Sequence, residues 1–567
     1  MIGLISATAA GAAARDRLAA AWPDRTRVYE GPVGEAVRSA FAECGQLVCF
    51  LATGATVRLL APLLAGKAAD PGVVCVDEGG RFAVSLVGGH GGGANELARE
   101  VGELLGAEPV VTTATDAVGL AGLDTLGLPC EGAVAAVSRA LLDGEPVVLD
   151  AELPWPLPPL PVSPRGSYTI RLTDRDVEPG LREVLLRPPS LVVGVGASRG
   201  APVDEVLGLI QETLREAGLS PRSVAELATV DAKSKEPGIL GAAGRLGVPV
   251  VTYSAEELAA VEVPNPSAAP LAAVGTPSVA EAAALLGGGE LLVPKRKSDA
   301  SPAMATCAVV RRAGRGRLAV VGLGPGARDL LTPRATAELR RASVLVGLDQ
   351  YVDQIRDLLR PGTRVLESGL GAEEERARTA VEQARLGHAV ALIGSGDAGV
   401  YAMASPALAE ASDDIEVIGV PGVTAALAAA AILGAPLGHD HVSISLSDLH
   451  TPWEVIERRV RAAAEADLVV TFYNPRSRGR DWQLPKALGI LAEHRAPTTP
   501  VGVVRNASRP DGSSRVSTLA GLDPASVDMM TVVTVGNTAT RTVAGRMVTP
   551  RGYRWQNGRS EQPDETR

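Results

Sequence analysis

The stretch Leu318–Thr332, LAVVGLGPGARDLLT, decides our interpretation of the fold. Its apolar run, Leu318–Val321, leads into a loop with glycines at Gly322, Gly324 and Gly326. An apolar run that ends in glycines is typical of a buried strand in a parallel sheet. Because glycine has no Cβ, such a loop lets the backbone approach a ligand closely. The stretch therefore predicts an α/β fold with a ligand against this turn.

The loop is compatible with several ligands. A Walker A phosphate loop requires Gly-Lys-Ser/Thr, whereas residues 326–328 are Gly-Ala-Arg. Residues 322–327 match the dinucleotide fingerprint literally. However, the next helix is predicted to begin later, with Thr332 as N-cap and Pro333 at its first position, too far along to meet a pyrophosphate. S-adenosylmethionine carries no phosphate and fits the loop better, while a dinucleotide and a purely structural turn stay open.

Length, charge and hydropathy narrow the class of protein. A chain of 567 residues is expected to hold about three or four domains. The net charge of −10 argues against a nucleic-acid partner, so local arginines must bind any anionic substrate. No apolar stretch reaches the roughly 18 residues of a membrane span, and the nearest is Ala425–Leu433. We therefore expect no membrane partner.

The N-terminal residues and the cysteines indicate in which cellular compartment the protein is expected to reside. The first residues lack a basic region, so we interpret them as a strand and a helix rather than a signal peptide. The five cysteines are odd in number and form no CxxC pair. This pattern predicts a reduced, cytoplasmic protein without a metal site of its own.

Alternating apolar runs and helical segments predict several α/β domains. The predicted strands of the first domain include Ile2–Ser6 and Val110–Thr113. Prolines between Pro154 and Pro161 exclude helix and central strand, so we interpret that run as a spacer. The predicted boundaries are a first α/β domain at 1–126, a small middle domain with the proline-rich connector at 127–187, a second α/β domain at 188–311, a linker at 312–317, the last domain at 318–550, and a disordered tail at 551–567.

A glycine tract in the first domain carries candidate site residues. Residues 88–96, GGHGGGANE, place His90 and Asn95 around glycines, just before a predicted helix. Imidazole, amide and free N–H groups on one concave surface suit a carboxylate or an oxyanion. Asp77 and Glu78 follow an earlier strand. A flexible loop with a solvated histidine is the alternative.

The second α/β domain contains a turn that resembles a nucleophile elbow. Gly196–Gly200 fits G-x-S-x-G around Ser198, which would make the protein a serine hydrolase. Chain order disfavours that idea, because the next histidine, His388, lies beyond the glycine loop. Lys233 lies in a charged loop with Asp231, Lys235 and Glu236, whose side chains could either form salt bridges with one another or bind carboxylates.

Two basic runs, at 295–297 and 311–317, raise the possibility of RNA binding. No aromatic residues interleave them, and stacking on aromatic rings is what single-stranded nucleic acid requires. We interpret both runs as solvated loops or linkers.

Three further motifs follow predicted strands in the last domain. They are GSGDAGVY at 394–401, PGVTA at 421–425 and FYNPRSRGR at 472–480. Ligands of open α/β sheets bind at the carboxyl ends of strands, where all four motifs are predicted to lie. Their convergence is more specific than any one turn.

Taken together, the four motifs resemble those of the tetrapyrrole methyltransferases of corrin biosynthesis. The pair GSGDAGVYAMASP and FYNPRSRGR is most similar to the branch that methylates C-17 of precorrin-3B and contracts the macrocycle. The resemblance implies a two-lobed fold, S-adenosylmethionine as methyl donor, a homodimer, and a precorrin or cobalt-precorrin substrate that brings cobalt only as its own cargo.

The resemblance also implies roles for individual residues. Arg476, Arg478 and Arg480 are expected to bind substrate carboxylates. Asp397 is a candidate acid or base for ring contraction, with a backbone-capping role as the alternative. The residues expected to bind the cofactor are Gly324, Pro325, Gly326, Ser395, Gly396, Asp397, Val400, Thr424, Ala425, Asn474 and Ala507.

The first half resembles another corrin-pathway family, the cobalt-precorrin-5A hydrolases, which open a δ-lactone and release acetaldehyde. The resemblance lies in TGATVRLLAPLL, DPGVVCVDEGG, SLVGGHGGGANELA, VTTATD, GVGASRG and DAKSKE. It implies that His90, Asp77 or Glu78 activates water and that Asn95 and Lys233 bind substrate. One departure is Ala197-Ser198-Arg199, where we expect Cys-Arg. A non-catalytic tetrapyrrole carrier is the alternative.

Overall fold

The computed structural model describes residues 1–66, 69–89, 91–477 and 479–553. Two compact units make up the chain, and each is described by itself. The first unit is Met1–Gly314 with Arg360–Gly362, and the second is Arg315–Leu359 with the residues from Thr363 onward. Strands and helices alternate in both, which confirms the α/β class. In the described part of the chain, every helix is too short or too polar to cross a bilayer.

The first sheet of the first unit has the strand order β2-β1-β3-β4-β5-β6. All its pairs are parallel except β4 with β5. Buried apolar runs such as GVVCV in β4 explain why helices cover it. Its strands are β1 (Ile2–Ser6), β2 (Thr26–Val28), β3 (Gln46–Phe50), β4 (Gly72–Val76), β5 (Phe82–Val87) and β6 (Glu108–Val110), and its helices are α1 (Ala9–Ala21), α2 (Val33–Glu43), α3 (Thr53–Leu60), α4 (Ala94–Leu105) and α5 (Ala114–Ala117).

One predicted strand of this sheet is misplaced. Val110–Thr113 was expected to be a strand, but β6 ends at Val110 and Thr113 is the N-cap of α5. Threonine is common both in strands and at N-caps, so local propensity did not separate the two. The strand predicted at Ile2–Ser6 is confirmed.

A smaller sheet, of order β7-β10-β9-β8, follows. Its elements are β7 (Cys130–Gly132), α6 (Val134–Leu142), β8 (Val147–Ala151), β9 (Tyr168–Leu172) and β10 (Glu183–Leu186). The proline run between β8 and β9 forms neither helix nor strand, as predicted. It is more than a spacer, however, because Leu157 and Leu160 are buried in the core of this sheet.

The third sheet of the first unit has the order β13-β12-β11-β15-β14. Its strands are β11 (Leu191–Ala197), β12 (Val224–Val230), β13 (Val250–Tyr253), β14 (Glu290–Lys297) and β15 (Ala305–Arg311), and its helices are α7 (Val203–Glu216), α8 (Pro237–Leu246), α9 (Ala255–Ala259), α10 (Ala268–Val274) and α11 (Ala280–Leu285).

The interpretation of the two basic runs as solvated loops or linkers is correct only in part: residues 312–316 form neither helix nor strand, but residues 295–297, Arg311 and Arg317 lie in strands. Residues 295–297 end β14, an edge strand antiparallel to β15, where basic side chains protect the open edge. In the second run, Arg311 pairs with the buried Asp174 at 2.6 Å. Arg317 begins the next strand and pairs with the buried Glu338. Ion pairing, not solvation, accounts for these arginines.

The second unit begins with a parallel sheet of order β18-β17-β19-β16-β20. Every residue of β16 is buried, as the opening stretch predicts. The strands are β16 (Arg317–Gly322), β17 (Val344–Leu348), β18 (Arg364–Ser368), β19 (Ala389–Gly394) and β20 (Glu416–Val420), and the helices are α12 (Pro333–Arg341), α13 (Asp349–Ile355), α14 (Glu373–Arg385), α15 (Ala404–Glu410) and α16 (Ala425–Leu433).

A second, mixed sheet of order β22-β23-β26-β24-β25 completes a two-lobed unit, with a three-stranded sheet of order β21-β28-β27 beside it. The elements are β21 (Gly434–Ala435), β22 (His441–Ser445), α17 (Trp453–Glu465), β23 (Val469–Tyr473), α18 (Gln483–Ala492), β24 (Pro500–Arg505), β25 (Ser513–Thr518), β26 (Thr531–Val535), β27 (Arg541–Val543) and β28 (Arg546–Val548). The predicted tail from residue 554 onward lies outside the described residues.

Candidate functional site

The predicted loops of the second unit meet at the carboxyl edge of its parallel sheet. β19 and β20 both pair with β16, so the segments that follow these three strands leave the sheet side by side. Gly324 and Gly396 form a backbone bridge, in which the N–H of Gly324 donates to the Gly396 carbonyl at 2.9 Å and the reverse bond is 2.8 Å. The structure thus joins the opening loop to the Gly394–Tyr401 motif.

The glycines of these loops allow the loops themselves to touch. A Cβ on Gly322 would lie 2.7 Å from the Gly396 carbonyl oxygen, and one on Gly422 would lie 2.2 Å from the same atom. Both distances are impossible for real side chains. We attribute these two glycines to the packing of the loops against one another.

The helix after the opening loop begins where the sequence predicted. The hydroxyl of Thr332 accepts a hydrogen bond from the backbone N–H of Ala335 at 3.1 Å, and Pro333 opens α12. The glycines therefore lie well before the helix N-terminus. This geometry disfavours a dinucleotide, whose pyrophosphate needs that N-terminus at the glycine turn.

Both carboxylate oxygens of Asp397 accept backbone hydrogen bonds. One accepts from the N–H of Gly399 at 2.8 Å and the other from the N–H of Gly422 at 2.9 Å. The second bond fastens the loop after β19 to the loop after β20. Of the two roles considered for Asp397, acid–base group and backbone cap, these contacts fit the cap.

Two tyrosines that sequence reasoning did not assign complete this edge. The Tyr473 hydroxyl, at the end of β23, accepts from the N–H of Ala426 at 2.9 Å and lies 2.5 Å from the Thr424 hydroxyl. It thereby binds the N-terminus of α16. The Tyr401 ring lies 5.2 Å from the Tyr473 ring, and its hydroxyl donates to the Ser443 carbonyl at 2.8 Å. The sequence feature that could have marked Tyr473 as a site residue is its position beside Phe472 at the end of a predicted strand.

A cavity of about 1200 Å³ lies between the two sheets of this unit. That volume exceeds the roughly 300–1,000 Å³ of sites for drug-sized ligands. Tyr351 lines it, and burial raises the pKa of Tyr351 against the lowering effects of the Arg509 charge and the Ser395 side chain. Asn474 also lines it and donates to the Ser445 hydroxyl at 3.0 Å.

The remaining predicted cofactor residues surround the bridged loops. The N–H of Val400 donates to the Asp397 carbonyl at 3.2 Å, and Ala425 begins α16. Ala507 lines a separate cavity of about 240 Å³ beside the turn that joins β24 to β25. Arg509 of that turn donates through Nε to the Pro325 carbonyl at 3.0 Å. Sequence reasoning missed Arg509, which no glycine pattern marks.

Two of the predicted substrate arginines, Arg476 and Arg480, belong to the described residues, and neither lines the large cavity. Arg476 donates to the Ala525 carbonyl at 2.6 Å. Arg480 donates to the Asn474 carbonyl at 3.1 Å, and burial lowers its pKa. Arg478 lies outside the described residues. The basic side chains that do line the cavity are Arg376, Arg459 and His450.

In the first unit, both candidate carboxylates, Asp77 and Glu78, accept hydrogen bonds from neighbouring groups. Asp77 accepts from the N–H groups of Arg81 and Phe82, both at 2.7 Å. Burial raises its pKa, but these backbone bonds outweigh burial and lower it below the ordinary value of 3.8. Glu78 accepts from the Thr8 hydroxyl at 2.7 Å. The backbone N–H groups of Gly79, Arg81 and Phe82 that donate to Asp77 give this carboxylate the contacts of a turn cap.

Asn95 is the buried centre of a polar network that the sequence did not reveal. Its side-chain oxygen accepts from Ser85 at 2.7 Å, and its amide donates to Thr113 at 3.0 Å and Asp116 at 3.1 Å. Arg99 pairs with Asp116 at 2.8 Å. His90 lies outside the described residues.

Lys233 lies apart from that network, in the 3-10 turn Asp231–Lys233 that follows β12 of the third sheet. Its ammonium group pairs with the Glu236 carboxylate at 3.1 Å, and the same carboxylate accepts from the N–H of Gly200 at 2.7 Å. Of the two possibilities for the charged loop, salt bridging and carboxylate binding, these contacts are those of a salt bridge.

The fold and these loops define a class: α/β proteins that bind a ligand between two lobes, at bridged glycine loops of a parallel sheet. Residues 317–523 match the Tetrapyrrole (Corrin/Porphyrin) Methylases, residues 191–310 match Cobalamin synthesis G C-terminus, and residues 35–116 match Cobalamin synthesis G N-terminal. The chain belongs to the tetrapyrrole methylase family, with both cobalamin synthesis G domains preceding the methylase region.

Relatives with established names cover the methylase region. The probable cobalt-factor III C(17)-methyltransferase of Salmonella typhimurium is 47% identical over 239 residues, which is 42% of this chain and 99% of that protein. The precorrin-3B C(17)-methyltransferase of a Sinorhizobium species is 42% identical over 40% of this chain and 91% of its own length. The cobalt-factor III methyltransferase of Priestia megaterium is 41% identical, and the chain spans about half of it, 48%.

Among solved structures, the methyltransferase CobJ is 42% identical. The match covers 41% of this chain and 100% of the CobJ chain, with a TM-score of 0.40.

Proposed function

We propose that residues 318–550 transfer a methyl group from S-adenosylmethionine to C-17 of precorrin-3B or its cobalt form, with contraction of the ring, in corrin (cobalamin) biosynthesis. One observation carries the proposal. The loops bridged by Gly324 and Gly396 lie at the edge of a two-lobed cavity of about 1200 Å³, in the region that resembles C17-methyltransferases along nearly their whole length.

The residues at the bridged loops fit S-adenosylmethionine. The loops offer neutral hydroxyls at Ser395 and Thr424, and the glycines of the opening loop lie well before the N-terminus of α12, which suits a nucleoside without phosphate. When bound, the cofactor supplies an electrophilic methyl group on its sulfonium. Cobalt would enter only as cargo of the substrate, and we propose no metal site in the protein.

The chain's own contribution is to position the reactants and exclude water. Asp397 holds the loops after β19 and β20 together, and Tyr473 holds Thr424 at the N-terminus of α16. A tetrapyrrole carbon is the nucleophile, so orientation, more than a strong base, accelerates the transfer. We propose Arg376, Arg459 and His450 as partners of substrate carboxylates, in addition to Arg476, Arg478 and Arg480.

For residues 1–311 we propose a cobalt-precorrin-5A hydrolase-like function, with His90, Asn95, Asp77, Glu78 and Lys233 as the candidate residues. The contacts of Asp77 favour a second candidate, a non-catalytic tetrapyrrole carrier, because this carboxylate is committed to its own turn. Trapping acetaldehyde from a lactone substrate separates the two. Acetaldehyde supports hydrolysis, whereas its absence from folded, tetrapyrrole-binding protein supports the carrier.

We further propose that the protein is a cytoplasmic homodimer. The described cysteines Cys44, Cys49, Cys75, Cys130 and Cys307 are all free thiols, as a reducing compartment requires. The domain boundaries at 126, 187, 311, 317 and 550 are likewise our proposal. Light scattering of the purified chain tests the dimer.

The proposed activity is tested by incubating the chain with S-adenosylmethionine and either precorrin-3B or its cobalt form. We expect the product mass to rise by one methyl group with one of the two substrates. Which substrate reacts identifies the branch of the pathway. No methyl gain from folded protein with either substrate contradicts the proposal.

A further inference from the structure

Arg509 lies across the opening glycine loop of the second unit. Its Nε donates to the Pro325 carbonyl at 3.0 Å. A Cβ on Gly326 would lie 2.8 Å from Cγ of Arg509 and 2.9 Å from its Nε. The Arg509 side chain therefore packs directly against the backbone of Gly326, whose φ is 131°. The two residues come from opposite lobes and are separated by 183 positions, 509 minus 326.

The turn that carries Arg509 is fixed by its own hydrogen bonds. The N–H of Arg509 donates to the Asn506 carbonyl at 3.0 Å, and the N–H of Gly512 donates to the Arg509 carbonyl at 2.9 Å. Asn506 and Ser508 have φ values of 46° and 63°, which few non-glycine residues adopt. A turn held in such a conformation places the arginine in a set position rather than leaving it free in solvent.

The guanidinium of Arg509 has unused donors. Among the described residues, its Nη groups make no hydrogen bond or ion pair, although the side chain is half-buried. Arg505, in the adjoining strand end, shows the usual alternative, since it pairs with Asp528 at 2.7 Å and Asp511 at 3.6 Å. Because no carboxylate of the described residues pairs with Arg509, its Nη groups are available to bind an anionic group of a ligand.

The free end of Arg509 lies near the proposed cofactor site. Pro325, whose carbonyl accepts from the Nε of Arg509, is one of the residues expected to bind the cofactor. Arg509 also lines the smaller cavity, of about 240 Å³, together with Ala507. The large cavity, by contrast, is not lined by Arg509. Because Arg509 packs against Pro325 and Gly326, both expected to bind the cofactor, we assign an anion that it binds to the cofactor rather than to the macrocycle.

We propose that Arg509 binds the carboxylate of the methionyl group of the methyl donor and so orients the sulfonium. This inference rests on the proposed methyltransferase function. The paired Nη groups of a guanidinium match the two oxygens of a carboxylate, and such charge-assisted bonds are the strong ones. Arg509 is a positioning residue, since it acts on the end of the donor remote from the methyl group.

Two adenosine thioethers, S-adenosylhomocysteine and 5′-methylthioadenosine, test the proposal by calorimetry. S-adenosylhomocysteine carries the amino-acid carboxylate, whereas 5′-methylthioadenosine has the same adenosine thioether without it. We expect Arg509→Ala to weaken S-adenosylhomocysteine binding roughly 10- to 100-fold and to leave 5′-methylthioadenosine binding within about 2-fold. The S-adenosylhomocysteine affinity of Arg509→Lys should lie between those of Arg509→Ala and the unsubstituted protein, because an ammonium cannot make the bidentate contact. Arg515→Ala, an exposed arginine of β25, is the matched control.

The outcomes are distinguishable. Unchanged S-adenosylhomocysteine affinity in Arg509→Ala, with or without a loss of tetrapyrrole binding, overturns the assignment. Equal losses for both analogues also overturn it, since they indicate a disturbed loop. If the unsubstituted protein binds neither analogue, the proposed methyltransferase function fails first and this inference with it. A thermal unfolding curve for each variant shows that the comparison concerns folded protein.

Discussion

The carboxylate of Asp397 accepts a hydrogen bond from the backbone N–H of Gly422 at 2.9 Å, and this contact ties two strand-end loops of the parallel sheet into one surface. The other oxygen accepts from Gly399 within its own loop. A residue that resemblance marks as part of a binding site thus acts on the backbone around it. Its value for function lies in the shape that it maintains.

Replacing Asp397 by alanine should reduce methyl transfer roughly 100-fold or more, because two charge-assisted bonds to backbone N–H groups disappear. Ser198→Ala, in the other unit, should leave transfer unchanged. A single-turnover assay of methyl incorporation measures both. Asp397→Asn retains an acceptor and should recover part of the activity. Equal activities of the Asp397→Ala and Ser198→Ala variants refute the site assignment.

Gly422→Ala should weaken the folded second unit. Its Cβ would lie 2.2 Å from the Gly396 carbonyl oxygen, so the bridged loops must separate, at a cost of about 1–3 kcal/mol. The matched control is Gly419→Ala, three residues earlier in β20, where a Cβ meets nothing within 4 Å. Denaturant unfolding and S-adenosylhomocysteine titration report the two effects. Similar behaviour of both variants would contradict the loop-packing role of Gly422.

Tyr473→Phe should weaken cofactor binding while keeping the packed ring. The variant removes the oxygen that accepts from Ala426 and contacts Thr424, which leaves polar groups at the start of α16 without their partner. The penalty of about 1 kcal/mol or more corresponds to roughly 5-fold in affinity. Calorimetry with S-adenosylhomocysteine measures it. The comparison variant Tyr401→Phe loses only a bond to the Ser443 carbonyl and should bind as before.

The stability of the first unit should depend on Asp77 in a pH-dependent way. Burial raises the pKa of this carboxyl, but backbone bonds from Phe82, Arg81 and Gly79 lower it below 3.8. A carboxyl with a lowered folded-state pKa stabilises the fold above its unfolded-state pKa, and that contribution is lost as the pH falls through the folded value. Asp77→Asn should therefore unfold at a lower temperature near pH 7, with the difference shrinking below about pH 4.

Scanning calorimetry from neutral to acidic pH measures this dependence, with the exposed Asp24→Asn as the control. A constant difference between Asp77→Asn and the unsubstituted protein at every pH would contradict the capping role. The same Asp77→Asn variant also tests the role of Asp77 in hydrolysis. If Asp77 only caps its turn, the folded variant should release acetaldehyde from a lactone substrate as the unsubstituted protein does.

The features that could be predicted from the sequence are those that depend on local signals. The apolar run before Gly322 is a buried central strand, and α12 begins at Thr332 and Pro333, because strand burial and N-capping depend on a few neighbouring residues. The convergence of the glycine loops followed from the same reasoning, since parallel strands end at one edge. The family resemblance rested on these short motifs, which is why it could be drawn before any distance was known.

Only the tertiary structure decided which partner each side chain meets. Tyr473 reaches Thr424 across 49 positions, and Arg509 reaches Pro325 across 184. Arg311, part of an apparently solvated basic run, pairs with the buried Asp174, and Leu157 enters a core from within a proline run. Such contacts depend on how distant segments pack, which no window of sequence contains. The fold class is therefore a property of local pattern, and the site is a property of long-range packing.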